Sequence, residues 1–381
     1  MVVCPDSFKG SLSAEEASSV IAEALRRQYP EVETVILPLA DGGEGTGEIL
    51  ARSEYPAKKE IIAFDPLMRA FKTFYLSDKT GRKAFIESAG VIGLPLLKPN
   101  ERDVMKASSF GVGIVIKRAI EEGCKNITVS LGGSATSDGG MGMLSALGVK
   151  FYDKNGDILI GNGENLEVID EIDITDIDPR VKGARFRILT DVRNPLSGDR
   201  GAARIFAPQK GARPEEVEKL EEGLSNFVEK NSRNNPKSRD YARKEGAGAA
   251  GGLGFAFLCF LDAEPRRGID FVLEHTGFKE KIRGADVIIT GEGKIDCQSL
   301  MGKVVSGVLD SGRQEAIPVI ALAGIVENEK ALKDAGIKAI FPIADKSLTK
   351  EENLQKETAC RNLERVVGEE LTLWWENNKD C

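Results

Sequence analysis

The sequence contains a single histidine, His275, among its 381 residues. A protein-kinase H-R-D loop, a metalloprotease H-E-x-x-H helix and any metal site built from several histidines are therefore excluded. General base chemistry must fall mainly to carboxylates or lysine. His275 lies in the segment LEHTGF beside apolar residues, where we expect a structural role.

Paired cysteines and long apolar runs are also missing. The six cysteines are scattered and form no C-x-x-C pair, which predicts reduced thiols and argues against a disulfide scaffold or a zinc site. The longest strongly apolar run, Phe255 to Leu261, is far short of the ~20 residues of a membrane-spanning helix. The first residues lack the pattern of a secretion signal. We expect a soluble, cytoplasmic protein.

Basic clusters are absent as well. The chain has 52 Lys and Arg against 60 Asp and Glu, a net charge of −8, so neither nucleic acid nor an anionic membrane is an expected partner. Small-molecule substrates fit this composition better, and the oligomeric state stays open. The length predicts two domains.

Two familiar nucleotide-binding motifs are not supported by the sequence. No G-x-x-x-x-G-K-[ST] sequence occurs, so a Walker-type phosphate loop is excluded. The segment GAGAAG, Gly246 to Gly251, matches G-x-G-x-x-G but follows the charged segment RDYARKEG instead of a strand. We interpret it as a structural turn or a close-packed helix start.

Glycine is abundant, with 41 residues, and concentrates in loops that follow apolar runs and precede helical patterns. Strand Met1 to Cys4, a helix opened by a Ser13 and Glu16 capping box, and strand Thr34 to Leu39 form one crossover and predict a parallel α/β sheet. The run at Asn126 to Leu131 and three later β-branched runs indicate further strands, whereas residues 59–97 suggest hairpins. We predict one α/β domain from 1–57, 98–148 and 277–381, with a second α/β domain from 58–97 and 149–276 inserted into it.

The most informative loop is LGGSATSDGG, Leu131 to Gly140. Consecutive glycines after a strand let backbone amides approach an anion closely, and such a turn can hold phosphate or carboxylate. A plain tight turn, with Asp138 serving only as a helix N-cap, explains the same letters.

Carboxylates and lysines recur in the other strand-end loops. Parallel strands place such carboxylates at one ligand-binding edge, where Mg²⁺ and a hydroxyl nucleophile would both need them. The lysines could neutralise phosphate, although each alone is compatible with a solvated surface position. The carboxylates are Asp6, Asp41, Glu44, Asp191, Glu292 and Asp296, and the lysines are Lys9, Lys210, Lys294 and Lys303.

Eight motifs, in this order across nearly the whole chain, resemble those of the bacterial type 1 glycerate kinases. They are PDSFKGSLSA, PLADGGEGT, IESAG, LGGSATSDGG, DVRNPLSGxxGA, APQKGA, GAGAAGGLG and TGEGKIDxxSxxGK, where x is any residue. The resemblance implies a flavodoxin-like parallel-sheet domain interrupted by a smaller inserted α/β domain. It also implies ATP-dependent, Mg²⁺-assisted phosphorylation of D-glycerate in an interdomain cleft, with 2-phosphoglycerate the favoured product. The chain departs from the family at Ser137, Lys294 and Cys297, where Asn, Arg and Ser are usual.

Within that resemblance we assign roles as hypotheses. Asp191 is the base that orients the glycerate hydroxyl, and Lys9 is the second catalytic residue. Ser7, Asp41, Gly42 and Gly43 hold glycerate. The phosphates of ATP contact Gly132, Gly133, Ser134, Thr136 and Lys294. Mg²⁺ is assigned to Glu292 and Asp296.

Two other functions remain as alternatives. A non-catalytic sensor of sugar acids would use the glycine loops for carboxylate alone, but the carboxylates suited to Mg²⁺ argue against it. A nicotinamide-dependent hydroxy-acid dehydrogenase could use Asp41 for a ribose, yet the first strand lacks the glycine fingerprint. Which glycerate hydroxyl reacts, how strictly D is preferred over L, and whether related acids are accepted are open at this stage.

Overall fold

The chain forms two compact units in a computed structural model that describes residues 1–378, so Cys381 lies outside the described residues. The first unit comprises Met1–Asp41 and the chain from Gly268 onward, and the second comprises Gly42–Arg267. No helix in residues 1–378 has the length and apolar character needed to cross a membrane.

Both units contain strands and helices. The strands are β1 Val2–Val3, β2 Val35–Ile36, β3 Ala57–Phe64, β4 Ala70–Ser77, β5 Lys83–Glu87, β6 Asn126–Ser130, β7 Lys150–Tyr152, β8 Glu171–Asp173, β9 Arg185–Leu189, β10 Glu264–Arg266, β11 Ile288–Ile295, β12 Val319–Val326 and β13 Ala339–Pro342. The α-helices are α1 Ala14–Gln28, α2 Thr46–Ala51, α3 Ala89–Ile92, α4 Phe110–Glu121, α5 Met141–Ala146, α6 Pro179–Lys182, α7 Ala202–Phe206, α8 Pro214–Asn231, α9 Ser238–Arg243, α10 Ala249–Phe260, α11 Gly268–His275, α12 Phe278–Ile282, α13 Val304–Gln314, α14 Glu329–Asp334, α15 Lys350–Leu354, α16 Lys356–Val366 and α17 Thr372–Asn378.

The first unit is built on a parallel five-stranded sheet in the order β13-β12-β11-β1-β2. Counted within the unit, this is the order 2-1-3-4-5 of flavodoxin-like folds, as expected. The predicted capping box opens α1: the Glu16 amide donates to Ser13 Oγ over 3.2 Å, and the Ser13 amide donates to Glu16 Oε2 over 2.9 Å. The strand order reverses between β1 and β11, which is where such sheets leave a crevice for ligands.

The second unit contains a mixed six-stranded sheet in the order β10-β9-β6-β5-β4-β3. The predicted hairpins are confirmed, since β3, β4 and β5 pair antiparallel, and β5, β6, β9 and β10 then continue in parallel. Buried aromatic rings form part of the hydrophobic core of this unit, with Phe227 and Phe255 in an edge-to-face pair at 5.5 Å.

The division of the chain differs from the predicted one. Strand β6 and helix α4 belong to the second unit, because β6 pairs with β5 and β9 and with no strand of the first sheet. The insertion is therefore one continuous segment, 42–267, and it is the longer of the two units. A buried parallel strand followed by a glycine loop has the same sequence pattern in either sheet, so the sequence does not show which sheet the strand joins.

Candidate active site

Acidic residues come together in the first unit where β1 ends beside β11. Asp6 follows β1, and its amide donates to the Gly291 carbonyl over 2.8 Å, which places it beside the residue that precedes Glu292. Lys9 lies in the loop that follows Asp6, and a Cβ on Gly293 would be 3.2 Å from the backbone nitrogen of Lys9. Asp6 and Glu292 thus sit at the reversal point of the sheet order.

Electrostatic coupling shows that these groups share one environment. Burial raises the pKa of Asp6 to about 7, assisted by the charges of Asp41 and Glu292 and opposed by the Ser7 amide, which donates to Asp6 Oδ1 over 2.6 Å. Burial also raises the pKa of Glu292, while the Ser299 hydroxyl and the charges of Lys303 and Lys9 favour its ionised form. A raised carboxylate pKa in a strand-end crevice is typical of functional sites.

Glu292 is suited to a hard cation. Its side chain is 8% exposed, and Oε1 has no hydrogen-bond partner. No group of three His, Cys, Asp or Glu side chains within residues 1–378 could hold a metal ion unaided. Mg²⁺ commonly uses one or two carboxylates together with water and substrate phosphates, so the residues present fit this ion as a companion of the nucleotide.

The other two charged residues assigned to β11 and the turn after it already have partners. Lys294 Nζ lies 3.0 Å from Glu327 Oε2 and 3.4 Å from Asp296 Oδ2. Asp296 also accepts a 2.8 Å hydrogen bond from the Gln298 amide. Their roles at the nucleotide and at Mg²⁺ stay predictions, and they would require exchange of these partners.

The glycine loop after β6 exposes backbone donors in the second unit. Within residues 1–378, the amides of Gly132, Gly133 and Ser134 are hydrogen-bonded to no acceptor, in contrast to the flanking Leu131 and Ala135 amides. Gly132 and Gly133 are solvent-accessible, and Gly133 adopts a left-handed φ of 64°. Successive unpaired amides around a left-handed residue form an anion-binding concavity. We call residues 132–134 the anion cradle.

Neighbouring strand ends place two carboxylates near this cradle. The Leu131 amide donates to the Leu189 carbonyl over 2.9 Å, so Asp191 follows β9 at the position that Gly132 occupies after β6. On the other side, β5 ends at Glu87, paired in register with Ser130. Adjacent parallel strands lie ~4.8 Å apart, so the three ends form one edge.

Glu87 shares that edge with the glycine loop that begins at Gly42. Its Oε2 accepts a 3.2 Å hydrogen bond from the Gly47 amide, and burial raises its pKa. A Cβ on Gly132 would lie 3.6 Å from the Gly43 Cα, so the two glycine loops meet at the cradle. Sequence reasoning assigned no role to Glu87, although its position before SAG at the end of an apolar strand was a usable signal.

Asp138 anchors the back of the cradle loop. It is fully buried, and Oδ2 accepts 2.7 Å hydrogen bonds from both the amide and the hydroxyl of Ser109. The amides of Gly140 and Gly142 also donate to this carboxylate, each over 3.1 Å. Helix α5 begins after its N-cap residue Gly140, so the interpretation of Asp138 as the N-cap is wrong. The Asp138 carboxylate instead reaches the first turn of the helix from two residues upstream through the Gly142 amide, and this contact coexists with the free amides of residues 132–134.

The GAGAAG segment supports the same loop from behind. Gly251 has a φ of 69°, and a Cβ there would lie 2.0 Å from the Thr136 carbonyl oxygen. The Gly139 amide donates to the Gly251 carbonyl over 3.0 Å. These contacts match the interpretation of a close-packed helix start, and the glycine at 251 is required by backbone proximity.

The predicted site residues therefore fall into two groups. The second unit begins at Gly42 and holds the predicted site residues Gly43, Gly132, Gly133, Ser134 and Asp191. Thr136 belongs to the same unit, but its side chain is buried and its hydroxyl has no hydrogen-bond partner. The first unit holds Ser7, Lys9, Asp41, Glu292, Lys294 and Asp296. Lys210, noted only as one of the loop lysines, is buried against Ser134 and Thr136.

Comparison with known proteins identifies the family of the chain. The model of the glycerate kinase family matches residues 1–375. The chain belongs to the glycerate kinase family. It is 41% identical over 344 residues to a glycerate kinase of Haemophilus influenzae and 40% identical over 344 residues to a glycerate 2-kinase of Escherichia coli, covering 90% of each chain in both cases.

A solved structure extends the agreement to the fold of this glycerate kinase family member. A crystal structure designated glycerate kinase 2 from Salmonella typhimurium LT2 matches with a TM-score of 0.83 and 35% identity, covering 100% of this chain and 99% of that one. The predicted family, the two-domain α/β fold and the expectation of a kinase are confirmed.

Proposed function

We propose that this chain transfers the γ-phosphoryl group of ATP to a hydroxyl of D-glycerate and that 2-phosphoglycerate is the product. The assignment of glycerate as the substrate is supported by the family and by the named relatives, among them a glycerate 2-kinase. Action on small molecules in the cytoplasm is part of the proposal. The absence of nucleic-acid and anionic-membrane partners is also part of it, and the net charge of −8 supports that absence.

The observation that carries the proposal is the anion cradle beside Asp191. Phosphoryl transfer depends mainly on positioning and on neutralising charge, with one carboxylate to orient the attacking hydroxyl. Free amides on Gly132, Gly133 and Ser134 supply phosphate donors, and Asp191 follows the neighbouring strand as the base. A sugar-acid sensor would have no use for such a base.

The first unit contributes the remaining groups. We assign Ser7 and Asp41 to glycerate, together with Gly42 and Gly43. Lys9 is assigned to catalysis and Lys294 to the nucleotide. Glu292, with Asp296, is assigned to Mg²⁺, which when bound would offset charge on the ATP phosphates. Glu292 is the better candidate ligand for Mg²⁺ because its Oε1 is buried and has no hydrogen-bond partner.

The reaction itself is tested by incubating the protein with Mg·ATP and D-glycerate and identifying the product by ³¹P NMR. We expect one new monoester resonance, that of 2-phosphoglycerate, with stoichiometric ADP. A 3-phosphoglycerate resonance would correct the regiochemistry. If glycerate binds but no phosphoglycerate forms, the sensor alternative replaces the kinase.

Replacement of Glu292 by glutamine tests the Mg²⁺ assignment. Loss of a carboxylate ligand should raise the Mg²⁺ concentration for half-maximal rate by about 10-fold or more, with a smaller change at saturating Mg²⁺. Glu329→Gln, on the exposed face of α14, is the matched control. An unchanged Mg²⁺ requirement in Glu292→Gln would remove Glu292 from the metal site.

A further inference from the structure

Lys210 is a buried lysine without a counter-ion in contact. It ends the short 3₁₀ turn Pro208–Lys210 and is 3% exposed. Its Nζ donates to Ser134 Oγ over 3.1 Å and to the Thr136 carbonyl over 2.5 Å. No carboxylate of residues 1–378 forms an ion pair with it. Lysine is almost never fully buried unless paired, so this arrangement requires an explanation.

The surroundings of Lys210 leave donors and acceptors unused. An ammonium has three N–H groups, and the described residues accept from two of them. The hydroxyls of Thr136 and Ser137 are buried and have no hydrogen-bond partner. Burying polar groups and a cation unsatisfied is costly, and a bound anion at residues 132–134 would offset much of that cost.

We infer that Lys210 is a positioning residue of the anion cradle: through Ser134 and Thr136 its ammonium fixes the loop and supplies the positive charge that the phosphates of the nucleotide require. The inference rests on the proposed function in that it takes the anion to be the phosphate chain of ATP or ADP. Lys210 itself stays buried, so it acts on the ligand through the loop that it holds.

This role predicts a proton linked to binding. Burial lowers the pKa of Lys210 to about 7, with Asp138 opposing the shift. The cationic side chains on the adjoining segments are Arg102, which packs against Gly211, and Arg204, which pairs with Glu218. A phosphate chain near the ammonium raises the Lys210 pKa again, so binding at about pH 8 takes up between about 0.5 and 1 proton.

The pH dependence that Lys210 gives to folding stability is opposite in direction to that of an ion-paired lysine. Because the pKa is lower in the folded chain than in the unfolded one, the unfolded state binds more protons between about pH 7 and pH 10. Stability from this group therefore rises with pH across that window in the free protein. Bound nucleotide should remove the rise.

The test is calorimetric titration of the full chain with Mg·ADP at about pH 8 in buffers of different ionisation enthalpy, which counts protons taken up. We expect between about 0.5 and 1 proton for the wild type and close to none for Lys210→Arg, whose charge is permanent. Lys210→Met should bind about 10–100-fold more weakly without proton uptake. Lys219→Met, an exposed lysine on α8, should behave as the wild type.

The outcomes separate the inference from the proposed function. Binding of Mg·ADP to the wild type without proton uptake overturns the role of Lys210 and leaves the kinase proposal standing. Absence of binding of both Mg·ADP and pyrophosphate to the wild type overturns both. The wild-type measurement decides the matter even if Lys210→Met does not fold.

Discussion

Replacement of Asp191 by asparagine is expected to lower kcat for glycerate phosphorylation by about 10²–10⁴-fold, the range that a positioned general base contributes. Asp191 follows β9 at the position corresponding to Gly132 after β6. Asparagine keeps the size of the side chain but cannot accept the proton of the attacking hydroxyl. The amides of Gly132 and Gly133 remain, so KM for ATP should change little.

The control for this variant is Asp199→Asn, which removes a charge from an exposed position in the same post-β9 segment. It should leave kcat and KM close to their wild-type values. Steady-state kinetics on both proteins, with circular dichroism to confirm that each is folded, decide the assignment. Turnover of Asp191→Asn close to wild type would mean that the hydroxyl is oriented by another carboxylate, with Glu87 the nearest candidate on the same sheet edge.

Strand-end loops were predictable because parallel sheets obey a simple positional rule. A residue that follows a buried strand faces the carboxyl edge, so Asp6, Asp191 and the loop at Gly132 could be identified from letters alone. The capping box at Ser13 was equally local, since both partners lie within one turn. Local chemistry of this kind survives whatever the tertiary contacts are.

Longer-range relations were not predictable from the same letters. Strand β6 was assigned to the wrong unit because the sequence of a β-branched strand does not indicate which sheet it joins. Lys210 has the sequence context of a surface loop lysine, and its burial depends on contacts with residues 134–136, more than 70 positions away. The charge environment of the cradle therefore emerges only from the fold.

Replacement of Gly251 by alanine is expected to destabilise the protein by more than about 3 kcal/mol, combining a left-handed backbone penalty with overpacking. The added Cβ would lie 2.0 Å from the Thr136 carbonyl oxygen and 2.7 Å from the Ser137 Cα. Neither atom belongs to a flexible side chain, so the backbone of the cradle loop must move. Because Lys210 donates to that carbonyl, Mg·ADP binding should weaken as well.

Gly156→Ala is the matched comparison, since Gly156 has a φ of 85° and a Cβ there would meet no atom within 4 Å. It should cost only the backbone term, about 1–2 kcal/mol, and leave nucleotide binding intact. Chemical denaturation of both variants separates the two contributions. Equal losses would show that the Gly251 contact is not tight. A larger loss confined to Gly251→Ala would establish that GAGAAG acts as the structural support of residues 132–138, so that this glycine motif serves phosphate binding without touching the nucleotide.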